Sequence, residues 1–384
     1  MPLFACQNDA SLRALDTTLL RCEPTEDGLF IGVTEDTVLY PEGGGQPADR
    51  GTLDGVAVLD AQKVDGEVVL TLAAAVAPGP VRMEVDWARR FDLMQQHSAQ
   101  HLISAIAQDR FGRATTAFHL GAQVSSVDLD GATLSEAERL ALQSAVNAAI
   151  VEARPVQPRL FAPDAMPANA RSRLIPDDLD GPLRLIEIEG YDLNTCGGTH
   201  VSNTARLQAV VLTRIERYKG GSRLSFVAGG RVVAGLDAAT QREQALSRLL
   251  TCSVDEQHDA VQHLVDGRKE AGKVEKALRA ELAGLMGAAL RGRPGDAVGY
   301  HQDDADLRTL QQVAASARDA GEARPMLLTG DGCFLIDGDE ALVRAKGPQI
   351  AAALEGRGGG ARGRYQGKAA RVDRRDEALA LLTP

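Results

Sequence analysis

Aromatic residues are scarce in this sequence, at 4% of its 384 residues, although apolar residues in total make up 44%. That composition predicts cores packed from alanine, valine and leucine, and the length is sufficient for two to four domains. The opening residues, MPLFACQND, lack a basic segment followed by an apolar run, and no apolar stretch approaches the length of a membrane-spanning helix. We therefore expect a soluble, cytoplasmic protein with no membrane partner.

The sequence also has few cysteines and no net positive charge. The five cysteines, at positions 6, 22, 196, 252 and 333, are scattered and odd in number, which does not fit a disulfide framework. A special cysteine is then better explained as a metal ligand or a nucleophile. The excess of 53 acidic over 42 basic side chains gives a net charge of −11, which opposes unspecific binding of polyanions. An RNA partner would need local basic patches.

The pattern of elements in the first 231 residues indicates an α+β fold. Short β-rich runs between residues 17 and 86, separated by Gly, Pro and Asp, predict a small β-barrel or sandwich. Helical periodicity follows over 89–108 and over 135–154, where Ser135 and Glu138 have the spacing of a capping box. Four short strands are then expected, in RLFAP, LRLIEIEG, ARLQAVVLTRIERYK and SRLSFVAG.

The remaining sequence changes character twice. From about 232 to 290 it is rich in Ala, Leu, Glu, Arg and Gln, which predicts one long helix or a helical hairpin that serves as a packing or oligomerisation arm. Strands and helices alternate beyond Pro294 and end in a Gly-rich basic segment, which we interpret as a flexible loop. We therefore divide the chain into a Gly-rich-motif β-barrel domain, a two-layer α/β core, a helical arm and a small C-terminal α/β domain, at 1–88, 89–231, 232–292 and 293–384.

Two short motifs carry metal-binding side chains. His97 and His101, in H-S-A-Q-H, stand on one face of the predicted helix within ~6 Å of each other, although such a pair alone is equally typical of a polar helix surface. Ser98 follows the first histidine where zinc proteases have Glu, so peptidase chemistry is not predicted. Far downstream, C-G-G-T-H supplies Cys196 and His200 in a loop that its glycines allow to fold tightly. The alternative is a buried Cys196 and a turn residue His200, but the coincidence of both motifs favours one zinc site.

Together with YPEGGGQPADRG at residues 40–51, these motifs resemble the editing domain of alanyl-tRNA synthetases and of their free-standing relatives, the AlaX proteins. The resemblance is close over 19–231. The C-terminal half is more weakly similar to the helical arm and glycine-rich accessory domain of the synthetases and of the long AlaX form. Because no aminoacylation domain precedes the motifs, we expect a trans-editing protein. The resemblance implies zinc-dependent hydrolysis of mischarged tRNA(Ala), mainly Ser-tRNA(Ala) and in addition Gly-tRNA(Ala).

The resemblance also implies roles for individual residues. His97, His101, Cys196 and His200 would bind one Zn²⁺ per chain, and the first three would count as catalytic. Catalytic zinc usually keeps one position open, so one of the four, with His200 as the candidate, is expected to be a loose or outer ligand. A covalent mechanism is not predicted, because no Ser-His-Asp order or nucleophile elbow occurs.

Two further residues are implied to be catalytic. Gln46, after three glycines, stands where the family has a functional glutamine, and a plain hairpin turn is the alternative for that segment. Thr116 fits a threonine whose hydroxyl contacts the serine side chain, and an ordinary strand residue is the alternative for Thr115 and Thr116 alike. A site built to bond a hydroxyl rejects the analogue lacking it by up to ~10⁴–10⁵. His119 is expected to be structural.

Basic residues in two segments are candidates for binding tRNA. One group follows the C-G-G-T-H motif, with a charged strand edge as the alternative. The other group lies in 355–375, a segment with seven basic and two acidic side chains. A solvated surface loop is the alternative for this segment. The candidates are Arg214, Arg217, Lys219, Arg223, Arg362, Arg364 and Lys368. A homodimer through the arm or the C-terminal domain is a further expectation.

Two other functions stay open at this stage. One is a zinc hydrolase for a threonine-type aminoacyl-tRNA, against which the Gly-rich N-terminal segment argues. The other is a zinc-stabilised tRNA-binding module without catalysis.

Overall fold

A computed structural model describes residues 3–171 and 181–383 and divides the chain into two compact units, Met1–Glu243 and Gln244–Pro384. Mixed helices and sheets in both confirm the α+β class. The finer division into four domains stays a prediction. In the described part of the chain, no helix has both the length and the apolar character needed to cross a membrane.

The N-terminal unit begins with a short helix and a closed six-stranded barrel, which confirms the predicted barrel. Its strands hydrogen-bond in the order β1-β2-β5-β4-β3-β6. In β5, Val68, Leu70 and Leu72 point inward while their neighbours do not, as the two-residue period of a strand requires. The elements are α1 (Ala5–Asn8), β1 (Ala14–Pro24), β2 (Phe30–Thr34), β3 (Gly51–Leu53), β4 (Val56–Val64), β5 (Glu67–Leu72) and β6 (Gly79–Val85).

Helix α2 (Trp87–Phe111) follows the barrel and is the centre of the core. The Asp86 side chain accepts a hydrogen bond from the Arg89 amide at 3.2 Å, which caps the first turn, and Gly112 ends the helix in the left-handed conformation at φ 64°. Most of its side chains between Arg90 and Ala107 are buried. The predicted helix over 89–108 is thus confirmed and extended at both ends.

Two antiparallel sheets and the helix α3 also belong to this unit. The predicted capping box is present, since Ser135 and Glu138 bond each other's backbone amides. The sheets have the strand orders β12-β13-β8-β7 and β11-β10-β9. The elements are β7 (Thr115–His119), β8 (Ser125–Leu129), α3 (Glu136–Val151), β9 (Val156–Phe161), β10 (Leu183–Ile188), β11 (Asp192–Thr195), β12 (Val210–Tyr218) and β13 (Gly221–Ala228).

The predicted arm consists of two helices, α4 (Gly230–Leu250) and α5 (Gln257–Leu290). The C-terminal unit contains α5 and a five-stranded sheet in the order β14-β15-β16-β18-β17. Alternate residues of β15 and β16 contribute to apolar clusters on opposite faces of this sheet. The elements are β14 (Val298–His301), α6 (Leu307–Asp319), β15 (Met326–Gly330), β16 (Cys333–Asp337), α7 (Glu340–Ala353), β17 (Arg357–Gly359), β18 (Arg364–Lys368) and α8 (Arg375–Ala380).

The Gly-rich basic segment differs from its prediction, because it forms the antiparallel strands β17 and β18 rather than a flexible loop. The glycines are needed for the close approach of the two strands. A Cβ added to Gly360 would lie 1.9 Å from the Arg364 carbonyl oxygen, and one added to Gly367 would lie 2.1 Å from that of Arg357. In this segment the glycines allow two strands to pack closely in a hairpin and do not make the backbone flexible.

A fully buried ion pair fastens helix α2 to the segment between β2 and β3. The Arg90 guanidinium donates from Nε to Asp49 Oδ2 at 2.7 Å and from Nη2 to the Val38 carbonyl at 2.6 Å. The same carboxylate oxygen accepts the Tyr40 amide at 2.7 Å. Both side chains of the pair are wholly excluded from solvent. Since a buried charge that loses its partner is costly, this pair constrains how the barrel meets the core.

We predict that Asp49→Ala lowers the free energy of unfolding of the N-terminal unit by about 3–5 kcal/mol, because Arg90 is left buried without its anion. Urea unfolding followed by the fluorescence of Trp87 measures the change. Glu67→Ala is the matched control, since its pair with Arg21 is half exposed and its loss should not be resolved. Equal effects of the two substitutions would contradict this role of the buried pair.

Candidate metal centre

Four side chains from distant parts of the sequence meet beside helix α2. They are His97, His101, Cys196 and His200, and their potential ligand atoms all lie within 4.8 Å of one another. The three histidines are almost wholly buried, and Cys196 is partly so. His97 and His101 are on one face of α2, whereas Cys196 follows β11 and His200 ends the C-G-G-T-H loop. The structure thus brings together all four predicted metal ligands.

Each histidine has its Nδ1 atom engaged by a separate partner. His97 Nδ1 is 2.8 Å from Gln46 Oε1, and His101 Nδ1 is 2.8 Å from Asp192 Oδ2. His200 Nδ1 is 3.0 Å from the Ser98 hydroxyl. The Nε2 atoms of all three rings therefore remain available for an ion. Partners of this kind orient metal-binding imidazoles and fix the tautomer.

Gln46 holds His97 in a defined tautomer. Its Oε1 accepts the backbone N–H of Thr199 at 3.0 Å, and its Nε2 donates to the Thr199 hydroxyl at 2.8 Å. Because a backbone N–H can only donate, the Gln46 atom facing it must be the oxygen. The same oxygen then accepts a hydrogen bond from His97 Nδ1–H, which leaves the lone pair on Nε2.

Two glycines permit this arrangement. A Cβ on Gly198 would lie 2.3 Å from His97 Cε1 and 2.7 Å from Gln46 Oε1, so only glycine lets the loop pass over this pair. Gly45 has φ +80°, and a Cβ there would lie 2.7 Å from the ring of Phe118, which packs 5.6 Å from the His97 ring. The Gly-rich segment is both a turn, closed by a bridge between residues 43 and 46, and a close contact with the core.

The cluster favours a thiolate at Cys196 and a neutral imidazole at His200. Burial alone would raise the pKa of the Cys196 thiol, but the neighbouring His97 and His200, with hydrogen bonds from His101 and His200, lower this pKa well below its ordinary value. Burial lowers the pKa of His200. For His101 burial acts in the same direction, but hydrogen bonds to Asp192 and Cys196 outweigh it and raise the pKa. Thiolate and neutral imidazole are the forms that bind metals.

The donor types suit a tetrahedral ion, and the two sulfur–nitrogen distances around Cys196 match one. A zinc ion with nitrogen at about 2.0–2.1 Å and sulfur at about 2.3 Å holds its ligand atoms roughly 3.3–3.8 Å apart. Cys196 Sγ lies 3.5 Å from His97 Nε2 and 3.3 Å from His200 Nε2. Sulfur and imidazole nitrogen in this geometry are typical of zinc. The cluster can therefore hold a metal ion.

Comparison with known proteins places this centre in a family. Residues 183–225, which include Cys196 and His200, match the "Threonyl and Alanyl tRNA synthetase second additional domain". The chain is 38% identical to "Alanyl-tRNA editing protein Aarsd1" of Mus musculus over 99% of its own length and 97% of that protein, and the Danio rerio protein of the same name gives the same values. The chain belongs to the alanyl-tRNA editing proteins.

The chain is also similar, at lower identity, to a synthetase. "Alanine--tRNA ligase" of Methanocella arvoryzae is 30% identical over 78% of the chain, which covers 35% of that enzyme. The predicted resemblance to the editing proteins and to alanyl-tRNA synthetases is thereby confirmed.

The other residues predicted for the site lie outside the group of four candidate ligands. Gln46 is wholly buried and contacts His97. Thr116 is exposed on β7, where its hydroxyl donates to the Asp128 carbonyl at 3.3 Å, while the Thr115 hydroxyl is 2.6 Å from Ser104 Oγ on α2. His119 is exposed and is not among the four clustered residues. The roles of Gln46 and Thr116 stay predictions.

The candidate tRNA-binding residues lie on two hairpins. Arg214, Arg217, Lys219 and Arg223 lie on β12, β13 and their turn, where Arg223 forms two bonds with Asp128 at 2.7 and 2.8 Å. In the C-terminal unit, Arg362, Arg364 and Lys368 belong to the β17–β18 hairpin, and Arg364 bonds Asp337 at 2.6 Å. Arg214 pairs with Glu216, while Arg217, Lys219, Arg362 and Lys368 are exposed.

Sequence reasoning missed the residues that orient the cluster. Ser98 and Thr199 lie inside the two motifs, but the motifs alone predict no role for them in orienting the histidines. Asp192 comes shortly before Cys196 in the strand that leads to it, and a carboxylate so close to a candidate ligand was the available signal. Arg184 donates from Nη1 to the carbonyls of Cys196 and Gly198 at 2.6 and 3.0 Å, and its isolated position on β10 gave no indication of this.

We predict that Gln46→Ala weakens zinc binding by about 10- to 100-fold, because His97 loses the partner that fixes its Nδ1 proton. Competition with a chromophoric chelator measures the affinity. Gln62→Ala is the control, since Gln62 bonds only Asp60 and Glu42 on the barrel surface among the contacts described. Unchanged zinc affinity in a folded Gln46→Ala protein would show that Gln46 does not position His97.

Proposed function

We propose that this chain hydrolyses mischarged aminoacyl-tRNA, removing serine and also glycine from tRNA(Ala) in trans. The observation that carries the proposal is the buried cluster of three Nδ1-anchored histidines and one cysteine. It occurs in a chain that matches, over almost its whole length, relatives named alanyl-tRNA editing proteins. The substrate bond is the ester between the amino acid and the terminal ribose.

We propose that His97, His101, Cys196 and His200 hold one Zn²⁺. When bound, zinc would polarise the ester carbonyl and lower the pKa of an attacking water. The protein's own contribution is the orientation of the rings: Gln46 and Asp192 hold the protons of His97 and His101 on Nδ1, and Ser98 holds His200. Phe118 packs against the His97 ring and shields that side from solvent. Gln46 is then a positioning residue.

Cys196 is better explained as a metal ligand than as a nucleophile. A cysteine nucleophile needs one base within reach, and that base is normally oriented by a third group. Here three imidazoles surround one sulfur, and the ring centroids of the histidines are only 4.4 to 5.2 Å apart. Crowding of this kind has no purpose in proton transfer, whereas it matches the requirements of a shared ion.

For substrate selection we propose that the Thr116 hydroxyl bonds the serine side chain. Its single described bond, to the Asp128 carbonyl, is long at 3.3 Å, so the hydroxyl can exchange that partner for a ligand. The neighbouring Thr115 hydroxyl is already held at 2.6 Å by Ser104. Neither alanine nor glycine offers a hydroxyl to this site, so the bond favours Ser-tRNA(Ala) over both other substrates.

Contacts to the tRNA body are proposed for the two basic hairpins. Arg217 and Lys219, and Arg362 and Lys368 in the C-terminal unit, are exposed and suited to phosphate contacts. The four-domain layout, a cytoplasmic location and a homodimer through the arm or the C-terminal domain belong to the same proposal. Exposed apolar side chains along α5 support the dimer, among them Leu264, Leu278 and Leu285.

We predict rapid release of the amino acid from Ser-tRNA(Ala) but not from Ala-tRNA(Ala) or Ser-tRNA(Ser). Cys196→Ala should lower kcat/KM by at least about 100-fold, because the site loses its only sulfur ligand. Cys252→Ala, in the turn between α4 and α5, is the control and should retain full activity. Release of the radiolabelled amino acid, serine or alanine, from each substrate measures the selectivity and the effect of each substitution.

The alternatives give different results in the same assay. Binding of tRNA without turnover of any substrate would contradict the proposal and favour a non-catalytic module. Hydrolysis of Ser-tRNA(Thr) in preference to Ser-tRNA(Ala) would contradict the assigned tRNA.

We also predict that Thr116→Val lowers kcat/KM for Ser-tRNA(Ala) by about 3- to 10-fold, the value of one hydrogen bond, and leaves Gly-tRNA(Ala) unaffected. Thr115→Val is the matched control on the same strand and should not discriminate between the two substrates. The assignment of Thr116 is wrong if the serine-specific loss appears in Thr115→Val instead.

A further inference from the structure

A cavity of about 310 Å³ adjoins the cluster of three histidines and Cys196, and His200 forms part of its wall. Its volume is within the range of small-molecule sites. It lies entirely in the N-terminal unit. The function proposed above does not use it. The side chains that give it a chemical character are Arg13, Trp87, Phe91, Arg184 and Arg206.

Two stacked aromatic rings, each contacted by a guanidinium group, line this cavity. Trp87 and Phe91, one turn apart on α2, stack with ring centroids 5.9 Å apart and an angle of 22° between the planes. The Arg13 guanidinium lies 4.3 Å above the Trp87 ring, and that of Arg206 lies 5.1 Å from the Phe91 ring. Flat apolar faces edged by arginine are the surfaces on which unpaired nucleobases stack.

Arg184 gives the cavity a buried positive charge. Its side chain is about nine-tenths buried. Nη1 donates to two loop carbonyls, whereas Nε has no hydrogen-bond partner and no carboxylate forms an ion pair with the group in residues 3–171 and 181–383. A buried guanidinium with a free donor is costly unless an anion or another acceptor occupies the space beside it.

The cavity is therefore basic in an acidic protein. Arg13, Arg184 and Arg206 face one carboxylate, Asp9, whose Oδ1 already accepts the amide and the hydroxyl of Ser11 at 2.8 and 2.6 Å. A phosphate matches the fork of an arginine, and a base matches the aromatic wall. Both are present in a single nucleotide.

We propose that this cavity binds the unpaired 3′ end of tRNA, with a base against Trp87 and Phe91 and a phosphate at Arg184. The inference rests on the proposed function, in which the ester on the terminal ribose reaches the metal cluster. His200, common to the cavity and the cluster, marks the point where the nucleotide and the aminoacyl group meet. The site is then selective for single-stranded RNA ends, not for the amino acid.

Trp87 is the only tryptophan in the chain, so its fluorescence reports on this cavity directly. The trinucleotide CCA, which carries no aminoacyl ester, should quench this fluorescence in a saturable manner. In the double variant Arg13→Ala/Arg206→Ala its dissociation constant should rise at least about fivefold, because the base loses both flanking cations. These two arginines are exposed, so their replacement leaves the core intact, unlike that of buried Arg184.

Arg110→Ala, at the far end of the same helix, is the matched control and should bind CCA like the unmodified protein. Serine release from Ser-tRNA(Ala) completes the test: the double variant should raise KM and leave kcat within about twofold. No quenching by CCA, or equal affinity in the double variant and the unmodified protein, overturns the inference even where hydrolysis is intact. Saturable, arginine-dependent quenching in a protein that hydrolyses no aminoacyl-tRNA would support the cavity and contradict only the proposed function.

Discussion

Two parallel contacts between helix α2 and the glycine-rich segment hold the site together. Arg90 bonds Asp49, and His97, about two turns further along the same helix, bonds Gln46. The first contact is a fully buried ion pair, which is costly to break and therefore fixes the register of the two segments. The second uses that register to place an amide oxygen beside one imidazole. The positions of the clustered histidines thus depend on an ion pair that does not contact them.

The same amide joins a third segment, because Gln46 also bonds the backbone and the side chain of Thr199. The loop carrying Cys196 and His200 is held from its other side by Arg184. Barrel, helix and loop are therefore connected by polar bonds in a region from which water is largely excluded, where such bonds are strong. This arrangement explains why glycine is required at Gly198, where any side chain would displace both His97 and Gln46.

The sequence was sufficient for features that depend on local patterns. The capping box at Ser135, the paired histidines of α2 and the cysteine–histidine loop each have a signature within a few residues, and the structure has all three. Asp192 lies close to Cys196 in the sequence, but its partner His101 is 91 positions away, and local spacing does not predict which histidine it bonds. The β17–β18 hairpin was missed for another reason, since glycines that permit close strands look the same in sequence as glycines that loosen a loop.

The central claim is that three imidazoles and one thiolate form a zinc centre at which the ester is hydrolysed. X-ray absorption at the zinc edge, on the zinc-loaded protein with and without a seryl-tRNA(Ala) analogue whose ester is replaced by an amide, tests it most directly. We expect one sulfur at about 2.3 Å and nitrogen ligands at about 2.0–2.1 Å, with a change in the nitrogen and oxygen shell when the analogue binds. A spectrum without sulfur, or one that the analogue leaves unchanged, would contradict the claim.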